Sequence, residues 1–473
     1  MVFSSLIFLL VFLPMHLAAY HIASERAKNL VLLVSSLIFY AWGGPAYVLL
    51  LAGDTLIAWA AALLIDRAGS ARAKTVILAC GAGAVLALLG YFKYAGFIAG
   101  IVQAITSWPP ELPDIFLPIG ISFYSFQLIS YMADVRRGEV APQGAYWKLL
   151  LYSSLFHQCI AGPIVRYETV AEQLESRSPK GSDRYLGIRR FAVGLAKKTL
   201  LANACAEVAD GLLPIGAPEL AAQSTAGLWL GMAFYMLQIY LDFSAYSDMA
   251  IGLGRMVGLR YLENFDHPYE SSSVREFWQR WHISLGTFFR DYVYIPLGGS
   301  RCETPVYVRN MCVVWLLTGL WHGASWNYLF WGAWFLGWLL LEHFVIRDRL
   351  PKPLAHVYLL LVVYLGWVLF KFEDAGELMA VAGGMVGLTG VPLGSMTASS
   401  TFMSNIFLLA ASIVACTGLG SRLARRVRQM APDNGVALAI ASAADLLIPP
   451  VCLLLSIAAM AGASYNPFIY FQF

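Results

Sequence analysis

The chain has 473 residues, 59% of them hydrophobic, and only 61 charged side chains (32 Lys+Arg and 29 Asp+Glu). That is 13% against the about 25% usual in soluble proteins, and with a mean hydropathy of +0.64 it excludes a soluble globular enzyme and a disordered or coiled-coil chain. A net charge of +3 is too small to suggest nucleic-acid binding, which leaves an all-α polytopic membrane protein.

A helical span takes about 20 apolar residues, so the chain can supply about ten to twelve. Residues 2–20 are apolar, with Arg26 and Lys28 behind them rather than before. A secretory signal has the opposite charge order, so an uncleaved first span with its N-terminus outside is expected. Further apolar runs follow at 29–41, 46–65, 75–92, 115–133, 191–210, 226–254, 354–370, 402–418 and 446–463, which makes ten predicted crossings. Basic clusters occur around Arg26, Arg72, Arg136, Arg189, Arg349 and Arg425, whereas 42–45, 108–114, 211–225 and 464–473 contain no Lys or Arg. This alternation follows the positive-inside rule and predicts both termini outside.

Two apolar pieces, 149–165 and 310–345, have basic flanks on both sides and do not fit as single crossings. Each is expected as a re-entrant loop or a tight hairpin, which the membrane tolerates only inside protein or around water. The stretch 261–306, rich in aromatics and Arg, reads as interfacial amphipathic helices. No internal repeat is evident, which weakens an inverted-repeat transporter. The seven cysteines lack metal or disulfide spacing and read as small buried apolar residues.

Ionisable and polar groups at membrane depth are costly and tend to be functional. His16, in the first span, reads as a hydrogen-bonded packing residue. His322 lies in an apolar context between Gly319 and Gly323, where either a structural bridge or a chemical role fits. His282 follows Arg280 and Trp281 and precedes Arg290 and Asp291; Glu276 and Arg280 form an i,i+4 pair. An ion network of Arg280, Arg290 and Asp291 is one reading and headgroup anchoring the other. Gln238, Asp242, Ser244, Tyr246 and Asp248 on one span, with Ser122 and Tyr124 on another, are candidates to line a polar cavity, although an interhelical network is the competing reading.

These strings carry a resemblance. Asn264–Tyr269, Glu276–Leu285, Arg290–Gly299, Gly319–Ala324, Leu117–Tyr124, Ala161–Tyr167 and Gln238–Gly254 together resemble the membrane-bound O-acyltransferase superfamily, in particular its bacterial branch containing the alginate O-acetylation membrane protein. The resemblance extends over essentially the whole chain. It implies one membrane domain with a central tunnel, made of N-terminal spans 1–140, a catalytic core 141–370, and C-terminal spans with an aromatic tail 371–473. It makes His322 the catalytic histidine in the tunnel and His282 the second signature histidine on the cytoplasmic side. Asp242, Ser244, Tyr246, Ser122, Tyr124, Gln238, Trp321 and Asn327 are then expected along the tunnel, and Arg280, Trp281, Arg290 and Asp291 on the donor side.

It further implies acetyl-CoA as co-substrate, with no bound cofactor or metal, and an extracytoplasmic polysaccharide as acceptor. His322 is expected as general base, a role that an imidazole pKa near 6.5 suits. The terminal hexapeptide 468–473 is expected exposed outside, with Tyr470 as acyl carrier; an aromatic interfacial anchor is the alternative. A periplasmic or extracellular SGNH-type acetyltransferase is the expected partner, because no soluble domain is evident in the chain. The chain departs from the alginate-type pattern at His157, which is shifted by one position with the preceding proline missing. That leaves alginate, cellulose, another exopolysaccharide or peptidoglycan open as acceptor. A polytopic transporter with His322 as proton relay, and an enzyme acylating a lipid or protein, are the rival readings. The expected location is the bacterial cytoplasmic (inner) membrane.

Overall fold

A computed structural model describes residues 1–106, 115–159, 162–177, 180–346, 349–462 and 468–469. All regular structure among them is helical. Long apolar stretches leave no partner for backbone polar groups except the helix itself.

Five helices are long and apolar enough to cross a membrane: Pro45–Arg67, Ala71–Thr106, Trp326–Ile346, Lys352–Lys371 and Gly435–Gly462. Met396–Ser404 and Ile406–Ala415 make a sixth if the pair, bent by 59°, is one span. The other predicted crossings fall on different elements. Residues 2–20 and 29–41 become the shorter apolar helices Phe8–Ile22 and Lys28–Ala41. The 191–210 run is Gly181–Ala196 continued through a π-helical stretch, Lys197–Ala202, into Asn203–Leu212. The 226–254 run is the 32-residue helix Thr225–Met256.

The two pieces that did not fit as crossings resolve differently. Residues 310–345 form a helical hairpin, Thr304–His322 and Trp326–Leu341. Residues 149–165 begin as the short helix Tyr146–Ser154, after which the described residues to Arg166 are irregular. Side chains satisfy that backbone: Tyr152 donates to the Val165 carbonyl at 2.8 Å, and Gln158 to the Tyr152 carbonyl at 2.9 Å.

The chain forms two compact units interleaved in sequence. The first comprises Met1–Phe191, Met249–Glu263 and Thr287–Pro296. In it Pro45–Arg67, Ala71–Thr106 and Ile121–Arg137 pack on one another around Leu51, Ala58, Leu128 and Met132. A Cβ on Gly81 would lie 2.9 Å from both Ala61 and Met132, so the three helices meet closely there. The second unit comprises Ala192–Asp248, Asn264–Gly286 and Leu297–Phe473. Its centre is aromatic, built from Trp278, Trp315, Trp331, Phe335, Trp367 and Phe370.

The expectation that all seven cysteines are buried needs correction. Cys159, Cys205 and Cys416 are buried, but Cys80 and Cys312 are exposed. Cys80 lies on the Ala71–Thr106 helix, an apolar candidate span whose outer face needs no polar side chain.

Candidate active site

The hairpin of the second unit places His322 at the last residue of its first arm, before the break at Gly323–Ser325. Gly319 and Gly323 are one turn apart, a spacing that lets helices approach closely. A Cβ on Gly319 would lie 2.5 Å from the Tyr328 carbonyl oxygen, and one on Gly323 2.1 Å from the Tyr328 ring. Across from them, a Cβ on Gly332 would lie 2.6 Å from the Trp315 carbonyl oxygen. Glycine is what allows the two arms to touch at this level.

The same contact builds the walls around His322. Its imidazole is buried and meets Trp331 and Phe370 edge-on, with ring centroids 4.8 and 5.3 Å away. Asn327 donates to the carbonyls of Leu369 and Phe370 at 3.3 and 3.2 Å, which are among the open carbonyls at the end of Lys352–Lys371. Tyr328 donates to Glu373 at 3.0 Å. The second arm is thus tied to the helix that supplies Phe370.

His282 is held by its backbone. The helix Val274–Arg280 starts on an N-cap, with Ser273 accepting from the Glu276 N–H at 3.0 Å, and Glu276 accepts in turn from the N–H of Ser272, just before the cap, at 2.7 Å. Arg280 pairs with Glu276 at 2.7 Å, as the i,i+4 spacing predicts. His282 then adopts φ +46° before Ile283–Phe289 begins. A non-glycine residue in the left-handed region costs about 1–3 kcal/mol and persists only where its surroundings over-determine it. Here Asn264 does so: its carbonyl accepts from the Ile283 N–H, its Oδ1 from the Ser284 N–H and hydroxyl, and its Nδ2 donates to Ser247 at 3.2 Å.

The buried His282 ring lies 4.8 Å from Phe243 and 5.6 Å from Trp321, and the Trp321 ring is 5.0 Å from His322. His282 and His322 therefore flank one indole. His282 lies outside the candidate spans, and burial pushes its imidazole pKa down to about 3, so it is neutral near pH 7. Trp281 is fully buried, packed between Trp367 and Phe277 at 4.9 and 5.5 Å.

The polar face of Thr225–Met256 acquires partners that sequence reasoning passes over. Gln238, Asp242 and Tyr246 share one face at four-residue spacing, and Ser244 and Asp248 share another. Lys198 reaches Asp242 at 2.6 Å, while Lys197 reaches Asp248 at 2.6 Å and Ser244 at 3.1 Å. Adjacent residues on a helix point about 100° apart, so two neighbouring lysines serve two faces. The available signal was a Lys-Lys pair inside the apolar run 191–210, diluted by averaging hydropathy along it. Phe468 and Ile469, expected exposed, are instead buried: the Ile469 N–H donates to Asp242 at 2.7 Å and the Phe468 ring packs on Tyr246. Tyr470 lies outside the described residues.

The remaining candidates belong to the first unit. Ser122 lies on Ile121–Arg137 and receives a hydrogen bond from Lys93 at 3.3 Å; Tyr124, on the same helix, is fully buried. Asp291 is bracketed by Arg290, at 2.6 Å, and by Arg166. Burial alone would raise its carboxyl pKa, but the two guanidiniums outweigh it and hold the group below the ordinary carboxylate range. Arg137 and Arg166 also lie over the Tyr292 ring, at 4.9 and 5.1 Å. His157 is within 3.1 Å of the Tyr261 hydroxyl. Among the described residues, no three His, Cys, Asp or Glu side chains gather as a metal set.

Residues 144–354 match the model of the family described as MBOAT, membrane-bound O-acyltransferase family. Over 491 residues and the full length of both chains, the protein is 38% identical to the probable alginate O-acetylase AlgI of Pseudomonas putida. It is 33% identical over 436 residues to a peptidoglycan O-acetyltransferase of Helicobacter pylori, covering 83% of this chain and 81% of the relative. Similarity to a teichoic acid D-alanyltransferase of Bacillus subtilis is 27% over 279 residues, covering 52% and 70%. With its apolar spanning helices and a full-length relative at this identity, the chain belongs to the membrane-bound O-acyltransferase family and is a multi-pass membrane O-acyltransferase.

Proposed function

We propose that this protein moves acetyl groups from cytoplasmic acetyl-CoA across the bacterial inner membrane for O-acetylation of an extracytoplasmic polysaccharide. The observation that carries the reading is His322, buried at a glycine-shaped break in a helical hairpin and separated from His282 by one indole. His322 acts as general base: it takes the proton of an acceptor hydroxyl as that oxygen attacks the thioester carbonyl. The new C–O bond forms, the C–S bond breaks, and the coenzyme A thiolate leaves and recovers the proton. A thiol of pKa about 8.5 is a good leaving group, and a phenol of pKa about 10 is an acceptor whose ester stays activated for onward transfer. Tyr470 is that first acceptor, and an SGNH-type acetyltransferase outside the membrane receives the acetyl group from it.

The names of the full-length relatives support an alginate-like polymer as final acceptor. The Helicobacter relative supports peptidoglycan as the second reading. The test uses the purified full-length protein in liposomes with acetyl-labelled acetyl-CoA. Label is expected on the C-terminal peptide, absent in Tyr470→Phe and reduced about 10²–10⁴-fold in His322→Ala, the range typical of a lost general base. Undiminished labelling in His322→Ala overturns the assignment of the base.

A further inference from the structure

The Lys198–Asp242 pair is 2% exposed on both sides, yet nothing in the acyl-transfer chemistry above uses it. Two charges removed from water are costly in a membrane protein and are retained where they do something. Asp242 has two oxygens, and they are divided. Oδ1 faces Lys198 at 2.6 Å, and Oδ2 accepts the backbone N–H of Ile469 at 2.7 Å. Lys198 itself lies 4.6 Å from the centroid of the Phe468 ring, a cation–π distance. Phe468 in turn meets Tyr246, one turn beyond Asp242, edge-on at 5.1 Å. Two consecutive residues of the terminal segment are therefore each held by one member of the ion pair, one through its backbone and one through its ring.

We propose that Lys198 and Asp242 form the seat of the C-terminal segment, and that they are positioning residues for the acyl carrier. The consequence for catalysis rests on the reading of Tyr470 as carrier; the seat itself does not. The main-chain bond to Ile469 is independent of side-chain identity there and fixes the backbone from which the next residue extends. The π-helical stretch Lys197–Ala202, which contains Lys198, is a departure from regular helix of the kind frequent at functional sites.

Hydrogen exchange of the full-length protein in detergent micelles, read by mass spectrometry on the C-terminal peptide, tests the seat directly. The double variant Lys198→Met with Asp242→Leu removes both charges together, so no unpaired charge is left to unfold the protein. Phe468→Leu leaves the pair intact and removes only the ring. In the double variant the Ile469 amide is expected to exchange at least about tenfold faster, the loss typical of a hydrogen bond to a charged group. Acylation of the tail is expected to fall by a similar factor, with the KM for acetyl-CoA unchanged. Phe468→Leu is expected to show the same changes in milder form. Unchanged protection of Ile469 in the double variant overturns the seat, and a rise in the KM for acetyl-CoA with normal tail acylation overturns its positioning role. Tyr470→Phe separates the two ideas: it is expected to keep Ile469 protected while losing the label, and persistent label there overturns the carrier alone.

Discussion

At the scale of single residues, His282 joins backbone strain to a buried side chain. Among the described residues two non-glycine positions have positive φ, His267 and His282, and only His282 is buried. Strain at a buried position needs compensation, and Asn264 supplies it through bonds to Ile283 and Ser284. The strain is separable from the imidazole. Both His282→Ala and His282→Gly lose the ring packed against Phe243 and Trp321, but only Ala keeps a Cβ in the left-handed region. His282→Gly is expected to be more stable than His282→Ala by about 1 kcal/mol, the reverse of the usual order. Thermal melting of the purified variants measures this, and an equal or higher midpoint for Ala argues against the turn. Activity provides a second axis: if the imidazole acts chemically, both variants lose transfer despite their different stability.

At the scale of elements, the hairpin shows what a sequence discloses and what it hides. His322 between two glycines in an apolar run was legible as an interruption, because polar and small residues at depth break the pattern. A tight hairpin was one of the two forms expected there, but how its arms meet was hidden, because a reading of one segment does not reveal that Gly332 faces Trp315, or that Tyr328 fills the space beside Gly319 and Gly323. Lys198 was illegible for a related reason: its meaning depends on Asp242, 44 residues later, and on Ile469, much farther along. Motif resemblance located the histidines but not these partners. The hairpin also yields a prediction with an internal control. Gly319→Ala places a methyl group 2.5 Å from the Tyr328 carbonyl, a backbone atom that cannot swing aside. The arms must separate, at a cost of about 1–3 kcal/mol for overpacking, and His322, three residues on, moves with them. Gly337, on the second arm, has open space around it, so Gly337→Ala is expected to leave melting and activity unchanged. Equal melting midpoints for the two variants would remove the close approach of the arms from the account.

At the scale of the whole molecule, the small number of charges sorts into two populations. One lies on connections and at helix ends, as Arg67 and Arg72 do beside the break between Pro45–Arg67 and Ala71–Thr106, or Arg425 and Arg426 on the exposed basic helix Leu419–Met430. The other is internal, and includes the ion pair of Lys198 and Asp242. The first population carries the expected orientation, since the positive-inside rule puts an excess of Lys and Arg on the cytoplasmic side. The proposed acyl transfer depends on that orientation, because in it the thioester is supplied on one side and the glycan lies on the other. Alkaline phosphatase, which folds only outside the reducing cytoplasm, reports it when fused at chosen points. A fusion after Gly69 is expected to be inactive, and a fusion after Phe473 active. The opposite result at the C-terminus would put the terminal segment on the donor side, where a tyrosyl ester has no route to an external partner, and the relay through Tyr470 would fail on geometry alone.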